Sequence, residues 1–247
     1  MIRSIPTAAT WMPTSASRIG LAEECGAGHV LDIGCGTGVF ALLLAGRGVG
    51  VVGADPAAAS IDVAKSKPGS EKVQWVCGDA TVLPPLHADL ATMTANVAQE
   101  IAEPEAWRAN LRGAYEALRP GGQLAFETRN PARRAWVSWN REASHKVTEV
   151  PGVGTVESWV DLLDVTGALV SFRWNYVFAA DGQVLASDST LRFRERQEVE
   201  RDLVAHGFVV EDVRDAPDRP GREFVFIASR PASTRRSPRA GRGRSRK

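Results

Sequence analysis

The sequence predicts an α/β fold in which a doubly wound, mostly parallel sheet holds a ligand at the carboxyl ends of its strands. The first observation is in residues 30–40, where a short apolar run passes through three glycines into a helical pattern. The second is Asp55, which ends another apolar run 21 positions after Gly34. The third is the alternation of apolar runs with helical patterns as far as residue 128, which is typical of βαβ units and a parallel sheet.

A glycine-rich turn follows the first predicted strand. Its glycines are Gly34, Gly36 and Gly38, and Asp32 lies two residues before the first of them. Such a turn brings bare backbone close to a ligand. Dinucleotide-binding turns have their third glycine where this chain has Val39, so the spacing differs from theirs.

The second predicted strand, residues 49–54, ends at Asp55. In doubly wound folds an acid about 20 residues past the first glycine hydrogen-bonds the ribose hydroxyls of a bound nucleotide. The two carboxylate oxygens can accept both hydroxyls of a cis-diol. Pro56 suits the first turn of the helix predicted over residues 57–66. Asp55 could instead cap that helix, and the two roles are compatible.

Two further strands end in polar residues at the same predicted edge. The third strand, residues 73–77, is followed by Asp79, and the fourth, residues 89–94, is followed by Asn96 and Gln99. Polar residues are also common in ordinary turns, so a purely local role is the alternative for each.

A helix is predicted over residues 104–118, with large apolar side chains at spacings of four, four and three residues. We expect this stripe of Trp107, Leu111, Tyr115 and Leu118 to lie in the core. The run 118–122, Leu-Arg-Pro-Gly-Gly, predicts the end of the helix and a turn before a fifth strand at residues 123–128.

Taken in this order, the glycine turn, Asp55, the Gly78-Asp79 pair and the run 118–122 resemble the motifs of class I S-adenosylmethionine (SAM)-dependent methyltransferases. The resemblance covers residues 28–131 and, more loosely, residues 196–230. It implies a Rossmann-like, seven-stranded, mostly parallel sheet whose final strand is antiparallel, with SAM as cofactor and S-adenosylhomocysteine as product.

The resemblance also implies roles for individual residues. Asp79 would accept a hydrogen bond from the adenine amino group, and the Ala80 N–H would meet a ring nitrogen. Asn96 and Gln99 would lie near the methionine end of the cofactor. The complete set that the resemblance assigns to cofactor binding is Asp32, Gly34, Cys35, Gly36, Gly38, Asp55, Pro56, Asp79, Ala80, Asn96 and Val97.

The implied chemistry is direct SN2 transfer of a methyl group to O or N of a small-molecule acceptor. Such transfer depends on alignment and exclusion of water, and it needs a general base only where the nucleophile must lose a proton. The candidate bases or orienting groups are Glu127, His145 and Glu100, although a surface role is the alternative for His145.

Rival functions come from three other classes. One is a SAM-binding or regulatory protein without transfer activity, and another is a nucleotide-dependent oxidoreductase. The third is a nucleic-acid methyltransferase, suggested by a basic tail. Residues 94–97 lack the N/D-P-P-Y/F/W run of enzymes that methylate exocyclic base nitrogens, and no Pro-Cys nucleophile is present, so a small-molecule acceptor is favoured over nucleic acid.

Residues 132–195 differ in character from the rest. A helix is predicted over residues 132–140, and extended runs over 155–165 and 169–179 are joined by turn pairs into an antiparallel β-meander that ends near residue 193. The second run alternates large apolar residues, which favours a core face over a substrate cage. We expect this insert to cover the substrate or to form the contact of a homodimer.

After the insert, a helix over residues 195–205 is predicted to turn Val199, Leu203 and Val204 inward, and strands follow at residues 208–213 and 223–229. The predicted organisation therefore has five parts. These are an N-terminal segment with one helix (1–27), the SAM-binding core (28–131), the insert (132–195), the last helix and strands of the core sheet (196–230) and a basic tail (231–247).

Composition bounds the remaining possibilities. The three cysteines lack metal-ligand spacing and suggest neither a metal site nor a disulfide framework, and no apolar run is long enough to cross a membrane. No signal peptide is visible, so a cytoplasmic protein is expected. Residues 230–247 carry eight basic residues and no acid, which predicts a disordered tail. The single helix predicted before the first strand, residues 16–25, implies a shortened cover over the cofactor.

Overall fold

The computed structural model describes residues 15–232, with side chains from residue 20 onward. The predicted basic tail lies outside these residues, apart from its first two, as do residues 1–14 of the N-terminal segment. Within the described part, the chain forms a seven-stranded sheet and a separate four-stranded sheet. No helix in this part is long and apolar enough to cross a membrane.

The larger sheet contains β1 (His29–Ile33), β2 (Gly50–Asp55), β3 (Val73–Cys77), β4 (Ala88–Met93), β5 (Leu118–Arg129), β10 (Val209–Asp215) and β11 (Glu223–Ser229). Its strand order is β10-β11-β5-β4-β1-β2-β3. Strands β1 to β5 are parallel, whereas β11 is antiparallel to both of its neighbours, β5 and β10. The predicted fold class, a Rossmann-like, mostly parallel sheet with an antiparallel final strand, is confirmed.

Helices cover both faces of this sheet. They are α1 (Ser15–Glu24), α2 (Val39–Ala45), α3 (Ala58–Lys65), α4 (Val97–Glu100), α5 (Pro104–Ala117) and, after the insert, α7 (Arg196–Ala205). Because side chains alternate along a strand, Leu31 and Ile33 of β1 pack with α5 and α7 on one face, and Val30 packs with α2 on the other. The direction of winding reverses at β1, and doubly wound sheets bind ligands at such a point.

The insert forms an antiparallel sheet of β6 (Lys146–Val150), β7 (Gly154–Thr166), β8 (Leu169–Phe178) and β9 (Val184–Arg192). The meander therefore begins earlier than predicted, and a short helix, α6 (Arg141–Ser144), precedes it. The alternating face of β8 is inward as expected, since Val170 and Phe178 are both buried.

Three local predictions were wrong. Residues 132–140 form two short 3-10 turns rather than one helix, because Arg134 between them has a left-handed φ of 45°. Val204 is exposed rather than inward. Val199 and Leu203 are four residues apart and share the buried face of α7, whereas Val204 is one residue further along and lies on another face. The predicted turn at residues 120–122 is instead an irregularity within β5, fixed by Gly121 N–H donating to the Arg230 carbonyl at 2.7 Å.

Helix α5 contacts the turn that follows β3 very closely. Gly113 lies where a Cβ atom would be 2.1 Å from the Ala80 carbonyl oxygen, far inside van der Waals contact. A backbone oxygen cannot rotate away as a flexible side chain can. Gly113 therefore allows α5 to lie directly against the segment that carries Asp79.

We expect Gly113→Ala to lower the free energy of unfolding by about 1–3 kcal/mol, the usual cost of overpacking. Alanine normally stabilises a helix relative to glycine, by up to about 1 kcal/mol, so the expected sign is opposite to that of helix propensity. Urea denaturation would measure it. Gly20→Ala in α1 is the matched control, because no described atom lies within 4 Å of its added Cβ. Equal stabilisation in both variants would contradict the close contact.

Candidate active site

The glycine turn uses its three glycines in two different ways. Gly34, Gly36 and Gly38 have φ values of 69°, 54° and 78°, in the region that disfavours side chains. A Cβ on Gly34 would lie 2.5 Å from Val97 Cγ1, and one on Gly38 would lie 2.4 Å from Trp75 Cη2. A Cβ on Gly36 would meet nothing within 4 Å. The outer glycines thus permit close packing, while Gly36 presents bare backbone to open space.

Asp55 ties this turn to the start of the next helix. Its Oδ2 accepts a hydrogen bond from Gly36 N–H at 2.8 Å, and its Oδ1 accepts one from Ala57 N–H at 2.9 Å. Asp55 therefore binds the backbone of the residue that precedes α3 and does not cap the N–H groups of the first helical turn. Each carboxylate oxygen has a second lone pair, so a ligand hydroxyl can still be accepted.

Asp79 is held by a second network. Its Oδ1 accepts from the backbone and hydroxyl of Thr81, and its Oδ2 accepts from Asn110 Nδ2 at 3.1 Å. Burial by itself raises the pKa of Asp79, but these hydrogen bonds outweigh it and hold the pKa below the usual range. Asn110 Oδ1 also accepts from Ala80 N–H at 3.1 Å, so the structure gives that N–H a partner within the protein.

The segment after β4 has an unusual backbone. Ala95 and Asn96 have φ values of 62° and 63°, which is uncommon for residues with side chains. Glu127 Oε1 accepts from Ala95 N–H at 2.6 Å, and Asn96 Nδ2 donates to Glu223 Oε1 at 3.1 Å. Two buried carboxylates from β5 and β11 therefore hold a turn at the edge of the site, where strained backbone is commonly functional.

Gln99 fixes an arginine at the end of β5. Its Oε1 accepts from both the backbone N–H and Nη1 of Arg129, each at 3.1 Å. The Arg129 guanidinium also lies 5.9 Å from the centre of the Trp139 ring. Burial lowers the pKa of Arg129 from its usual value. Sequence reasoning assigned this arginine no role in the site, because its surroundings come from distant segments.

These elements surround a cavity of about 1660 Å³ at the carboxyl ends of the parallel strands. One end is formed by the glycine turn, Asp55, Asp79, Asn110 and α4. The other end is formed by insert side chains, including Trp139, Phe172 and Trp174, and by several arginines. Single small-ligand sites usually measure about 300–1,000 Å³, so this cavity has room for two ligands side by side.

The predicted cofactor residues divide into two groups. Those that line the cavity are Gly34, Cys35, Gly36, Asp55, Pro56, Asp79, Asn96 and Val97. The other three lie behind it. Asp32 accepts from Thr92 Oγ1 at 3.1 Å, Gly38 lies against Trp75, and Ala80 is buried beside Asn110. Asn110 is a lining residue that sequence reasoning missed, although a polar residue beside the apolar stripe of α5 was a signal for it.

The three candidate bases lie in three different places in the structure. Glu100 lines the cavity. Glu127 is buried against Ala95 N–H and lines a smaller neighbouring cavity of about 300 Å³. His145 lies on the insert, with Nε2 3.1 Å from Glu157 Oε2, and is not among the residues that line the large cavity.

Glu100 is an exposed residue that faces the cavity. Burial is the main cause that raises the pKa of this carboxyl, and the nearby Asp55 carboxylate adds to the rise. Arg129 acts in the opposite direction without cancelling it. Within residues 15–232, no group of three or more His, Cys, Asp and Glu side chains is placed to hold a metal ion.

Known proteins resemble this chain in sequence mainly over the part that carries the glycine turn and the parallel strands. Residues 30–122 match the sequence model of a methyltransferase domain. The chain is 38% identical over 104 residues to a cypemycin N-terminal methyltransferase from Streptomyces sp, covering 42% of each protein. It is 29% identical over 127 residues to a ubiquinone biosynthesis O-methyltransferase from Idiomarina loihiensis, covering 49% of this chain and 51% of that protein. These matches span about half or less of the relatives' lengths.

The fold is shared more widely. A SAM-dependent methyltransferase from Clostridium acetobutylicum superimposes with a TM-score of 0.73 at 16% identity, covering 88% of this chain and 91% of the other. Residues 30–122 therefore match a methyltransferase domain, in agreement with the resemblance predicted from the motifs, and the fold of the chain is that of this solved structure.

The raised pKa of Glu100 has a consequence for stability. The ionised Glu100 carboxylate is less favourable in the folded chain than in the unfolded chain. The protonated carboxyl therefore contributes stability at acid pH, and this contribution is lost as the pH rises through the pKa of the folded state. We expect Glu100→Gln to be more stable than the parent above that pKa. The gain should vanish as the pH falls below the ordinary glutamate value of about 4.3.

Urea denaturation across this pH range would test the expectation. Glu116→Gln, on the exposed surface of α5, is the matched control and should show a smaller, flatter difference. A loss of stability in Glu100→Gln at neutral pH would contradict the conclusion that the ionised Glu100 carboxylate is unfavourable in the folded chain.

Proposed function

We propose that this protein transfers the methyl group of SAM to an oxygen or nitrogen atom of a small molecule. The observation that carries the proposal is the arrangement of the Gly36 backbone, Asp55 and Asp79 along one end of a cavity that continues well beyond them. The sequence match over residues 30–122 supports the same reaction class.

The residues present fit this cofactor. Gly36 has open space where a side chain would stand, which allows a ligand to approach the backbone. Asp55 is the last residue of β2 and Asp79 follows the adjacent strand β3, so both carboxylates line the cavity. This spacing suits ribose hydroxyls at Asp55 and an adenine amino group at Asp79. SAM, when bound, supplies a methyl group already activated by a positively charged sulfur.

The chain's own contribution is then to bind, orient and exclude water. The insert places Val160, Phe172 and Trp174 across the cavity from the glycine turn, which supports its proposed role as a substrate cover. Apolar walls remove water from the reacting atoms and favour one alignment of the acceptor. The homodimer contact stays a separate prediction.

Glu100 is the carboxylate best placed to take a proton from the acceptor. It faces the cavity between the two ends, and its raised pKa makes it a stronger base than an ordinary glutamate. An oxygen nucleophile would need this help, whereas a neutral amine would not. Glu127 and His145 fit a positioning role and a surface role better, given their partners.

Two alternatives are less well supported. A protein that only binds SAM would need no space beyond the cofactor, yet the cavity extends to the insert. An oxidoreductase would use the dinucleotide spacing of glycines, and this chain has Val39 at its third position.

Calorimetric titration with S-adenosylhomocysteine tests the proposal directly. We expect a dissociation constant of about 1 μM and no binding of NAD. Asp55→Ala should weaken S-adenosylhomocysteine binding by about 1–3 kcal/mol, the usual cost of leaving buried hydrogen-bonding groups unpaired.

Asp62→Ala, on the exposed face of α3, is the matched control and should leave the affinity unchanged. Absence of S-adenosylhomocysteine binding by the parent protein would refute the proposed function. Binding that survives Asp55→Ala unchanged would mean that the ribose is held elsewhere.

A further inference from the structure

The end of the cavity away from the glycine turn is rich in arginine. Five guanidinium groups line it, against the carboxylates of Glu100 and Glu223. The arginines are Arg129, Arg133, Arg134, Arg219 and Arg222. A cavity wall with an excess of one charge attracts ligands of the opposite charge, and low-dielectric surroundings strengthen the effect.

Arg129 is a half-buried member of this group at the end of β5. Gln99 orients it through Nη1 and its backbone N–H, and Trp139 lies 5.9 Å from the guanidinium. Among the described residues it makes no direct ion pair. A buried cation without an ion pair is costly unless a ligand supplies the opposite charge. Its lowered pKa reflects the same burial.

The acidic side chains near Arg129 interact with other groups. Glu223 accepts from Arg219 Nη1 at 2.7 Å and from Asn96, and Glu127 accepts from Ala95 N–H at 2.6 Å. Glu100 also lines the cavity, and burial, with a smaller contribution from the Asp55 carboxylate, raises the pKa of its carboxyl. These acids act on Arg129 at a distance but do not occupy its hydrogen-bonding fork.

The outer arginines form a basic rim. Arg133, Arg134 and Arg222 are exposed, and Arg133 is anchored by its Nε donating to the Gly221 carbonyl at 2.9 Å. Arg134, which lines the cavity, has the left-handed φ of 45° that separates the two 3-10 turns, a conformation that is uncommon for residues other than glycine. Such a rim would guide an anion towards Arg129.

We propose that the methyl acceptor carries a carboxylate or phosphate group that Arg129 binds, with the acceptor's apolar or flat body against Trp139 and Phe172. This inference rests on the proposed function, because it assigns this end of the cavity to the acceptor. A planar guanidinium matches either anion through two parallel hydrogen bonds. The basic rim makes binding dependent on ionic strength.

The test uses the full chain saturated with S-adenosylhomocysteine and titrated calorimetrically with three probes. Benzoate and phenyl phosphate carry the two anions on a flat ring, and benzamide is their neutral counterpart. We expect one or both anions to bind about tenfold or more tightly than benzamide, and more weakly at high salt. The ratio of benzoate to phenyl phosphate affinity distinguishes carboxylate from phosphate recognition.

Arg129→Gln should weaken anion binding by about tenfold or more while benzamide binding stays the same. Arg222→Gln at the exposed rim should reduce both the affinity and its salt dependence, and it tests the proposal even if the Arg129 variant does not fold. Arg173→Gln is the matched control, because Arg173 lies on β8 beside Phe172 but pairs with Asp188 outside the cavity.

Equal affinity for benzamide and both anions, or anion binding unchanged in the Arg129 and Arg222 variants, would overturn the proposal. Weaker S-adenosylhomocysteine binding in Arg129→Gln, with anion binding intact, would reassign Arg129 to the cofactor and overturn it as well. If the parent binds anions but not S-adenosylhomocysteine, the anion site stands and the proposed function fails.

Discussion

The two hydrogen bonds of the Asp55 carboxylate determine the geometry of the site. One reaches back to Gly36 in the turn after β1, and the other reaches forward to Ala57 at the start of α3. Two neighbouring strand ends are thereby fixed to each other at the point where the sheet reverses its winding. The connection holds Gly36, whose backbone faces open space, beside the Asp55 carboxylate that lines the cavity.

A second constraint positions the opposite side of the same end. Asn110 on α5 holds both the Asp79 carboxylate and the Ala80 N–H, and Gly113, one turn later, lets the helix approach closely enough to do so. The core and the site are thus built from the same helix. Its apolar stripe buries Trp107 and Leu111, while one buried polar side chain between them serves the site.

The sequence was sufficient for the parts of the fold that depend on local pattern. The glycine spacing, Asp55 at its 21-residue distance and the apolar runs predicted the order of strands, because each signal lies within one strand–turn–helix unit. Arg129 was assigned no role from such signals, and Glu100 was only one of three candidate bases. Their environments depend on Gln99, Glu223 and the insert, which the fold brings together from distant segments. The 3-10 turns at residues 131–138 escaped prediction because an arginine in a left-handed conformation has no sequence signature.

The cavity has two ends of different origin. The glycine-turn end takes its lining from residues 33–110, whereas the arginine-rich end takes most of its lining from residues 129–223, including the antiparallel insert. Mutations can therefore change the lining of one end of the cavity without changing the lining of the other. Under the proposed function, replacement of the insert would change which acceptor is recognised while the parallel strands and their turns stay as they are. Proteins with this architecture can therefore evolve new binding properties at the arginine-rich end of the cavity while the glycine-turn end stays the same.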